Sequence, residues 1–388
     1  MGAWPARVAD LLIDIQCRVN AAFNDDGWGA PTLQRPRSVV QRNWCKMEYL
    51  RLGKSELKVS ALGLGCSRLG SVTQAGGEQA AFRVIGCALD AGINFFDTAD
   101  IYGQGTSEVL LGKAVKAHRD KVVLATKAGY CLSAMGGLAK HFKPLLRRLL
   151  RVRPGFSKSI QKVRAAQARQ DFSTPYLAGH IEASLRRLRV ETLDLFYLHN
   201  PPADVLERGE VFEALETFKR QGKLRHYGVS CLAAEDALLC VKQPGVAAVQ
   251  FEISLLKPEA LAQALPASRA KDLGVVARQA LAGGLLLGSA AELHPEAYAS
   301  REQFEAEQSR LAQLEKLAAE TGGSLARLAL QFLRQLDGIS SVLIGTTNTG
   351  HLQQHLAALA GPPLSPDHLA RILALLGAPP AQGRPPSI

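Results

Sequence analysis

Eight short apolar runs, separated by stretches of helical spacing, constrain the fold of this 388-residue chain more than any other feature. The runs are Ala61–Gly65, Ile93–Phe96, Val122–Lys127, Leu193–His199, Leu224–Val229, Val246–Phe251, Val275–Arg278 and Ser341–Ile344. They are continuously apolar rather than alternating, the pattern of strands covered on both faces. Helices are expected between them at Glu78–Ala91, Ser107–Ala117, Pro175–Leu188, Glu210–Gln221, Ala233–Val241, Glu259–Leu273, Ser324–Gln335 and Gly350–Ala360. Strand–helix alternation implies a parallel sheet, and eight units imply its closure, so the fold class is an α/β, (β/α)8 TIM barrel.

Several of these runs stop on a residue that can do chemistry. Asp97 follows Phe96, Lys127 ends its run, and His199 ends LDLFYLH; Tyr102 comes five residues after Asp97. Carboxyl ends of barrel strands share one mouth, so an acid, a phenol, an amine and an imidazole would converge there. Tyr102 is then a general acid, with Lys127 the positive charge a phenol of ordinary pKa near 10 needs. Asp97 would hold Lys127 by a charge-assisted bond, and His199 would donate to a substrate oxygen. Each residue alone has a structural alternative, a capped turn or a solvated charge. The recurrence in consecutive strands favours function.

The charge is +11, but it is concentrated. Ten basic residues and no acid lie between Cys131 and Arg169, after the third barrel strand, and the remainder is near neutrality. That pattern excludes a uniformly basic nucleic-acid binder and predicts a basic helical insertion on the mouth side. A solvated helix is favoured there. The alternatives are closure over the mouth, a preference for anionic substrates, and contact with an acidic membrane surface, the last because Leu145, Leu146, Leu149 and Leu150 lie beside Arg147, Arg148 and Arg151. Seven scattered cysteines without a C-x-x-C pair predict reduced thiols, a cytoplasmic location and no metal site.

Three domains of pattern follow. Residues 1–46 are irregular and read as an extension. The turn at Gly53-Lys54-Ser55 predicts an N-terminal β-hairpin opening the barrel, 47–362, and one expectation is that Met47 is the native start, to be tested on the mature N-terminus. Residues 363–388 read as a helix from Ser365-Pro366-Asp367 to Leu376 and a disordered tail.

A dinucleotide fingerprint is absent: Gly63, Gly65 and Gly70 fail the G-x-G-x-x-G spacing. Two other stretches are candidates for phosphates. Leu281–Gly288 is glycine-rich after a strand and reads equally as a phosphate loop or a flexible barrel loop, while Gly345-Thr346-Thr347 is the better candidate, leading from a strand into a helix, where free N–H groups face an anion.

The motif FFDTADIYGQGTSEVLLGKAV, followed in order by VVLATK, DLFYLH, KLRHYGVS and SVLIGTTNT, resembles the aldo-keto reductases over about Met47 to Ala360. The resemblance implies carbonyl reduction to an alcohol with a nicotinamide cofactor and a small-molecule carbonyl substrate. Tyr102, Asp97, Lys127 and His199 would be the catalytic tetrad. Ser230 and Gln250 would hold the carboxamide, with Cys231 where the family usually has Asn and Arg278 where it stacks a Tyr. Thr346 matches a phosphate-contacting hydroxyl. Gly345 and His351 stand in place of the family's 2′-phosphate cations, and Gln354 and His355 in place of its adenine-side Glu and Asn. NADP(H) is the usual cofactor, and these departures keep NAD(H) as the alternative. Other readings of the same pattern are aldose oxidation and a cofactor-binding regulatory subunit with little turnover.

Overall fold

A computed structural model of the chain describes residues 47–70, 76–131, 169–290 and 300–378. The expected extension at 1–46, the basic insertion at 132–168 and the tail beyond 378 lie outside the described residues.

Ten strands are seen among the described residues. β1 (Tyr49–Arg51) and β2 (Lys58–Ser60) form the antiparallel hairpin, paired Leu50 to Val59. The other eight close into a parallel barrel in the order β10-β3-β4-β5-β6-β7-β8-β9. They are β3 (Leu62–Gly65), β4 (Phe95–Asp97), β5 (Val123–Ala128), β6 (Leu193–His199), β7 (Leu224–Ser230), β8 (Ala248–Glu252), β9 (Gly274–Arg278) and β10 (Ile339–Ile344). The eightfold barrel and the hairpin are as the sequence led us to expect.

The period-2 alternation of a strand decides what the barrel contains. On β4, β5, β6, β8 and β9 the residues Phe96, Leu124, Phe196, Leu198, Val249, Phe251 and Val275 face outward into the helix layer. Their neighbours Phe95, Val123, Ala125, Leu195, Tyr197, Ala248 and Val276 face inward as a second apolar cluster. One step further along the same inward rows come Asp97, Lys127, His199, Gln250 and Arg278. The barrel is therefore apolar below and polar at its carboxyl end.

The hairpin seals the opposite end. Leu52, Leu57 and Val59 join the inner cluster, each worth about 2 kcal/mol of burial. Gly53, at φ 54°, lets the turn press on the start of β9, where a Cβ would lie 2.1 Å from the Gly274 nitrogen. The Lys54 amide donates to the Asp272 carbonyl at 2.7 Å, and Ser340 Oγ to the Arg51 carbonyl at 3.1 Å.

Differences from the expected elements have local causes. The helix expected at Glu259–Leu273 is two pieces, a 3-10 turn at Glu259–Leu261 and a helix at Ala264–Ala270. Pro266 lacks an N–H, so it suits a first turn and cannot continue a helix from upstream. A 20-residue helix, Arg301–Glu320, precedes Leu325–Gln335 and was not expected. No described helix is long and apolar enough to cross a membrane.

Candidate active site

The carboxyl mouth of the barrel opens into a cleft of about 430 Å³. Strand register sets its floor. His199 pairs with Ser230, and Ser230 pairs with Gln250, so three polar side chains from β6, β7 and β8 stand in one row. Lys127 pairs with Tyr197, one level below that row.

Lys127 is 1 % exposed. Its ammonium donates to Asp97 Oδ1 at 2.5 Å and to the Thr98 carbonyl at 2.9 Å. Asp97 Oδ2 accepts from Gln250 Nε2 at 2.9 Å, and Gln250 Oε1 accepts from Ser230 Oγ at 3.1 Å. The Lys127 nitrogen is also 5.2 Å from the centroid of the Tyr102 ring. The Tyr102 ring meets the His199 ring edge-on at 6.0 Å. The four residues named from the sequence are therefore neighbours, joined by hydrogen bonds or ring contact.

Tyr102 reaches this position from a 3-10 turn, Tyr102–Gly105, that follows β4 and leads into the helix Thr106–Val115. Gly103 and Gln104 sit at φ 56° and 60°. The helix start is pinned by Ser107 Oγ, which donates to the Cys66 carbonyl at 2.9 Å. Glu108, fully buried, accepts from Arg187 Nε at 2.5 Å and from Thr126 Oγ1 at 2.6 Å, so it braces β5 beside Lys127. Left-handed backbone recurs at the rim, at Gln104, Asn200, Gln279 and Ala282. Such strain in non-glycine residues collects where side chains must be aimed.

Electrostatics follow from burial. Desolvation raises the Tyr102 pKa and Asp97 adds to it, while Lys127 and Arg278 oppose; the net direction is upward. The sequence expectation that Lys127 leaves the phenol easier to ionise is thus outweighed by burial. Burial lowers the Lys127 pKa, but Asp97 and Tyr102 raise it more, so the ammonium stays charged. His199 is held well below an ordinary histidine by desolvation, then by Lys127 and Arg278, so its ring is neutral. Its buried Nδ1 has no partner within the described protein. At neutral pH the site presents a protonated phenol, a fixed ammonium and a neutral imidazole. That set can give a proton to an oxygen.

The expected cofactor residues divide. Ser230, Gln250, Arg278, Gly345, Thr346, His351 and His355 line the cleft. Cys231, Thr347 and Gln354 are not among its lining residues. The Cys231 thiol is buried, and the residue's carbonyl accepts from Arg278 at 3.0 Å. Arg278 is thereby tethered at one end and carries a buried, unpartnered Nε at the other. Thr346 Oγ1 accepts from the Asn348 amide at 3.1 Å and shapes the entry to the helix Thr349–Ala360. Three site residues escaped the sequence reading: Tyr130, Gln170 and Asn200. Only Asn200, adjacent to His199, carried a sequence signal.

Comparisons with known proteins point to one family. The sequence model of the Aldo/keto reductase family matches residues 61–376. An uncharacterized oxidoreductase YrpG of Bacillus subtilis is 32 % identical over 333 residues, covering 81 % of this chain and 91 % of the relative. An L-galactose dehydrogenase of Arabidopsis thaliana is 30 % identical over 324 residues, covering 81 % and 88 %. The holo form of aldo-keto reductase AKR11C1 from Bacillus halodurans superposes with a TM-score of 0.66 at 28 % identity, over 85 % of this chain and 96 % of that one.

Proposed function

Because the chain belongs to the aldo/keto reductase family, we propose that it reduces an aldehyde or ketone to an alcohol, with Tyr102 as the general acid. The observation that carries this reading is the Tyr102 phenol beside the buried Lys127–Asp97 pair, with the neutral His199 ring next to it at the cleft floor.

A carbonyl oxygen placed over Tyr102 takes the phenolic proton, and the His199 N–H donates to the same oxygen and fixes its direction. The ammonium of Lys127 offsets the negative charge left on Tyr102. Asp97 holds that ammonium, and the second donor to Asp97, Gln250, ties the pair to the cleft floor. When bound, a reduced nicotinamide cofactor supplies the hydride to carbon.

The residues present fit such a cofactor. Ser230 and Gln250 offer a hydroxyl and an amide at the floor. Gly345 leaves the wall bare, with only the Gly65 carbonyl 3.7 Å from where a Cβ would stand. Arg278 lines the same cleft and offers a guanidinium there. At the far end, positions 345, 351, 354 and 355 hold no lysine or arginine, so the preference for a 2′-phosphate is weak. NADP(H) is the usual choice of the family and NAD(H) is accommodated equally by these residues. The relative named L-galactose dehydrogenase supports sugar oxidation as a second reading. The raised Tyr102 pKa keeps the phenol in the protonated form from which it can give a proton to a carbonyl oxygen.

Titration of NADPH and NADH, followed by their own emission, and then a panel of simple aldehydes, ketones and aldoses tests the proposal. Sustained nucleotide oxidation with at least one carbonyl supports it. Tight binding with no turnover on the whole panel refutes it.

A further inference from the structure

His199 lacks the usual means of fixing an imidazole. A working histidine commonly has one ring nitrogen tied to a carbonyl or carboxylate, which sets its orientation. Here the buried Nδ1 has no such partner. Something else must hold the ring.

Two residues do so, and both belong to the chain ends that flank residues 132–168. Tyr130 packs its ring edge-on against His199, centroids 4.9 Å apart and planes at 87°. From the other chain end, Gln170 Nε2 donates to the His199 carbonyl at 3.3 Å and to the Asn200 carbonyl at 2.8 Å. Tyr130 and Gln170 are themselves an antiparallel bridge pair. The bridge is extended by the Cys131 amide donating to the Arg169 carbonyl at 2.8 Å and the Asp171 amide donating to the Gly129 carbonyl at 2.9 Å. One arm of this pair therefore fixes the ring and the other fixes the backbone.

The backbone contact answers a specific need. Asn200 has φ 52°, a left-handed conformation that turns the chain sharply after His199. Two carbonyls of that turn share the Gln170 amide. Asn200 then links onward. Its Nδ2 donates to the Tyr130 hydroxyl at 3.1 Å, and its Oδ1 lies 3.5 Å from Ser230 Oγ. The Ser230 hydroxyl has one proton and two acceptors, Asn200 and Gln250, so it serves one at a time.

We propose that Tyr130 and Gln170 are positioning residues for His199, Tyr130 by packing on its ring and Gln170 by clamping the strained turn behind it. This deepens the proposed function and rests on its reading of His199 as the group that directs the substrate oxygen. The Tyr130 hydroxyl has a separate role, holding Asn200 beside the Ser230 hydroxyl. The ring thus acts on turnover and the hydroxyl on cofactor affinity.

The test is a double-mutant cycle on the full chain, with 4-nitrobenzaldehyde as substrate and whichever of NADPH and NADH binds more tightly. Turnover and the cofactor Kd are measured separately. Tyr130→Leu is expected to lower kcat by about tenfold or more, as a misplaced group does, and also to weaken the cofactor Kd, because it lacks the hydroxyl as well. Tyr130→Phe restores most of that kcat while the cofactor Kd stays weakened to the same degree. In a His199→Ala background, Tyr130→Leu is expected to cause little further loss, because its effect runs through that ring. The same fractional loss in both backgrounds overturns the proposal, as does an unchanged kcat for Tyr130→Leu alone. If His199→Ala itself leaves kcat intact, the fault lies in the underlying reading of His199. Circular dichroism establishes that each variant is folded. If Tyr130→Leu is not, Gln170→Leu takes its place in the cycle, with the same expected non-additivity and the same refuting result.

Discussion

Replacing Lys127 by methionine separates the stability of this site from its chemistry. The substitution keeps the length of the stem and removes the charge. Asp97 is then left buried, 3 % exposed, without its ion-pair partner. Breaking a buried pair from one side costs about 3–5 kcal/mol. Asp97 keeps the Gln250 donor at 2.9 Å, which places the expected cost near ~3 kcal/mol, or roughly 6 °C in Tm at about 2 °C per kcal/mol for a domain of this size. Adding Asp97→Asn removes the stranded charge, so the double variant is expected to recover at least about half of that loss, since an absent pair is far less harmful than a broken one. Turnover is not expected to recover. Without the ammonium the main positive charge beside Tyr102 is gone, and kcat falls by about 100-fold or more in both variants. Melting followed by far-UV circular dichroism is the appropriate assay. Trp4, Trp28 and Trp44 are all the tryptophans of the chain, and none lies within residues 47–378. A double variant whose Tm falls by the sum of both single losses refutes the reasoning.

Other expectations concern pH and cofactor choice. Reduction needs Tyr102 protonated and His199 neutral, and burial pushes the first pKa up and the second well down. The kcat/KM profile is therefore flat from about pH 6.5 to about 10, the ordinary values of the two groups, and a break inside that window contradicts the assignment. The same burial has a stability sign. His199 and His355 have folded-state values below the unfolded one, so the unfolded chain takes up protons first. Stability is then complete above about pH 6.5 and falls on acidification at up to about 1.4 kcal/mol per pH unit for each group; urea midpoints at successive pH values, with His199→Gln flattening the slope, check this. Finally, His351→Arg is expected to tighten NADPH by about tenfold, one charge-assisted bond, and to leave NADH unchanged. An equal gain for both nucleotides refutes a 2′-phosphate position there.

The sequence displayed the barrel and the four polar residues gathered at its mouth for the same physical reason. A strand buried on both faces must be apolar throughout, so a polar residue at its end is conspicuous, and alternation places that residue inside. Asp97, Lys127 and His199 were visible in this way, and Tyr102 through its closeness to Asp97. The helix Arg301–Glu320 was not, because its buried residues Leu311, Leu314, Leu317 and Ala318 all fall in its second half; the first half, REQFEAEQSR, carries no apolar stripe. Tyr130 and Gln170 were invisible for another reason. They are forty residues apart and meet only through the bridge at the base of residues 132–168, and neither ends an apolar run. The direction of the Tyr102 pKa was also beyond the sequence, since it depends on how deeply the phenol is buried against the opposing charge of Lys127.

The central claim is that the phenol of Tyr102 delivers the proton that completes carbonyl reduction. Tyr102→Phe removes one oxygen atom and leaves the Lys127–Asp97 pair and the cleft floor intact. Nucleotide oxidation in the presence of a carbonyl that the unmodified protein reduces should fall by about 10²–10⁴-fold, while the same nucleotide still binds with a Kd within about threefold of the original. Retention of turnover within a factor of about three in a variant that binds nucleotide normally would contradict the account.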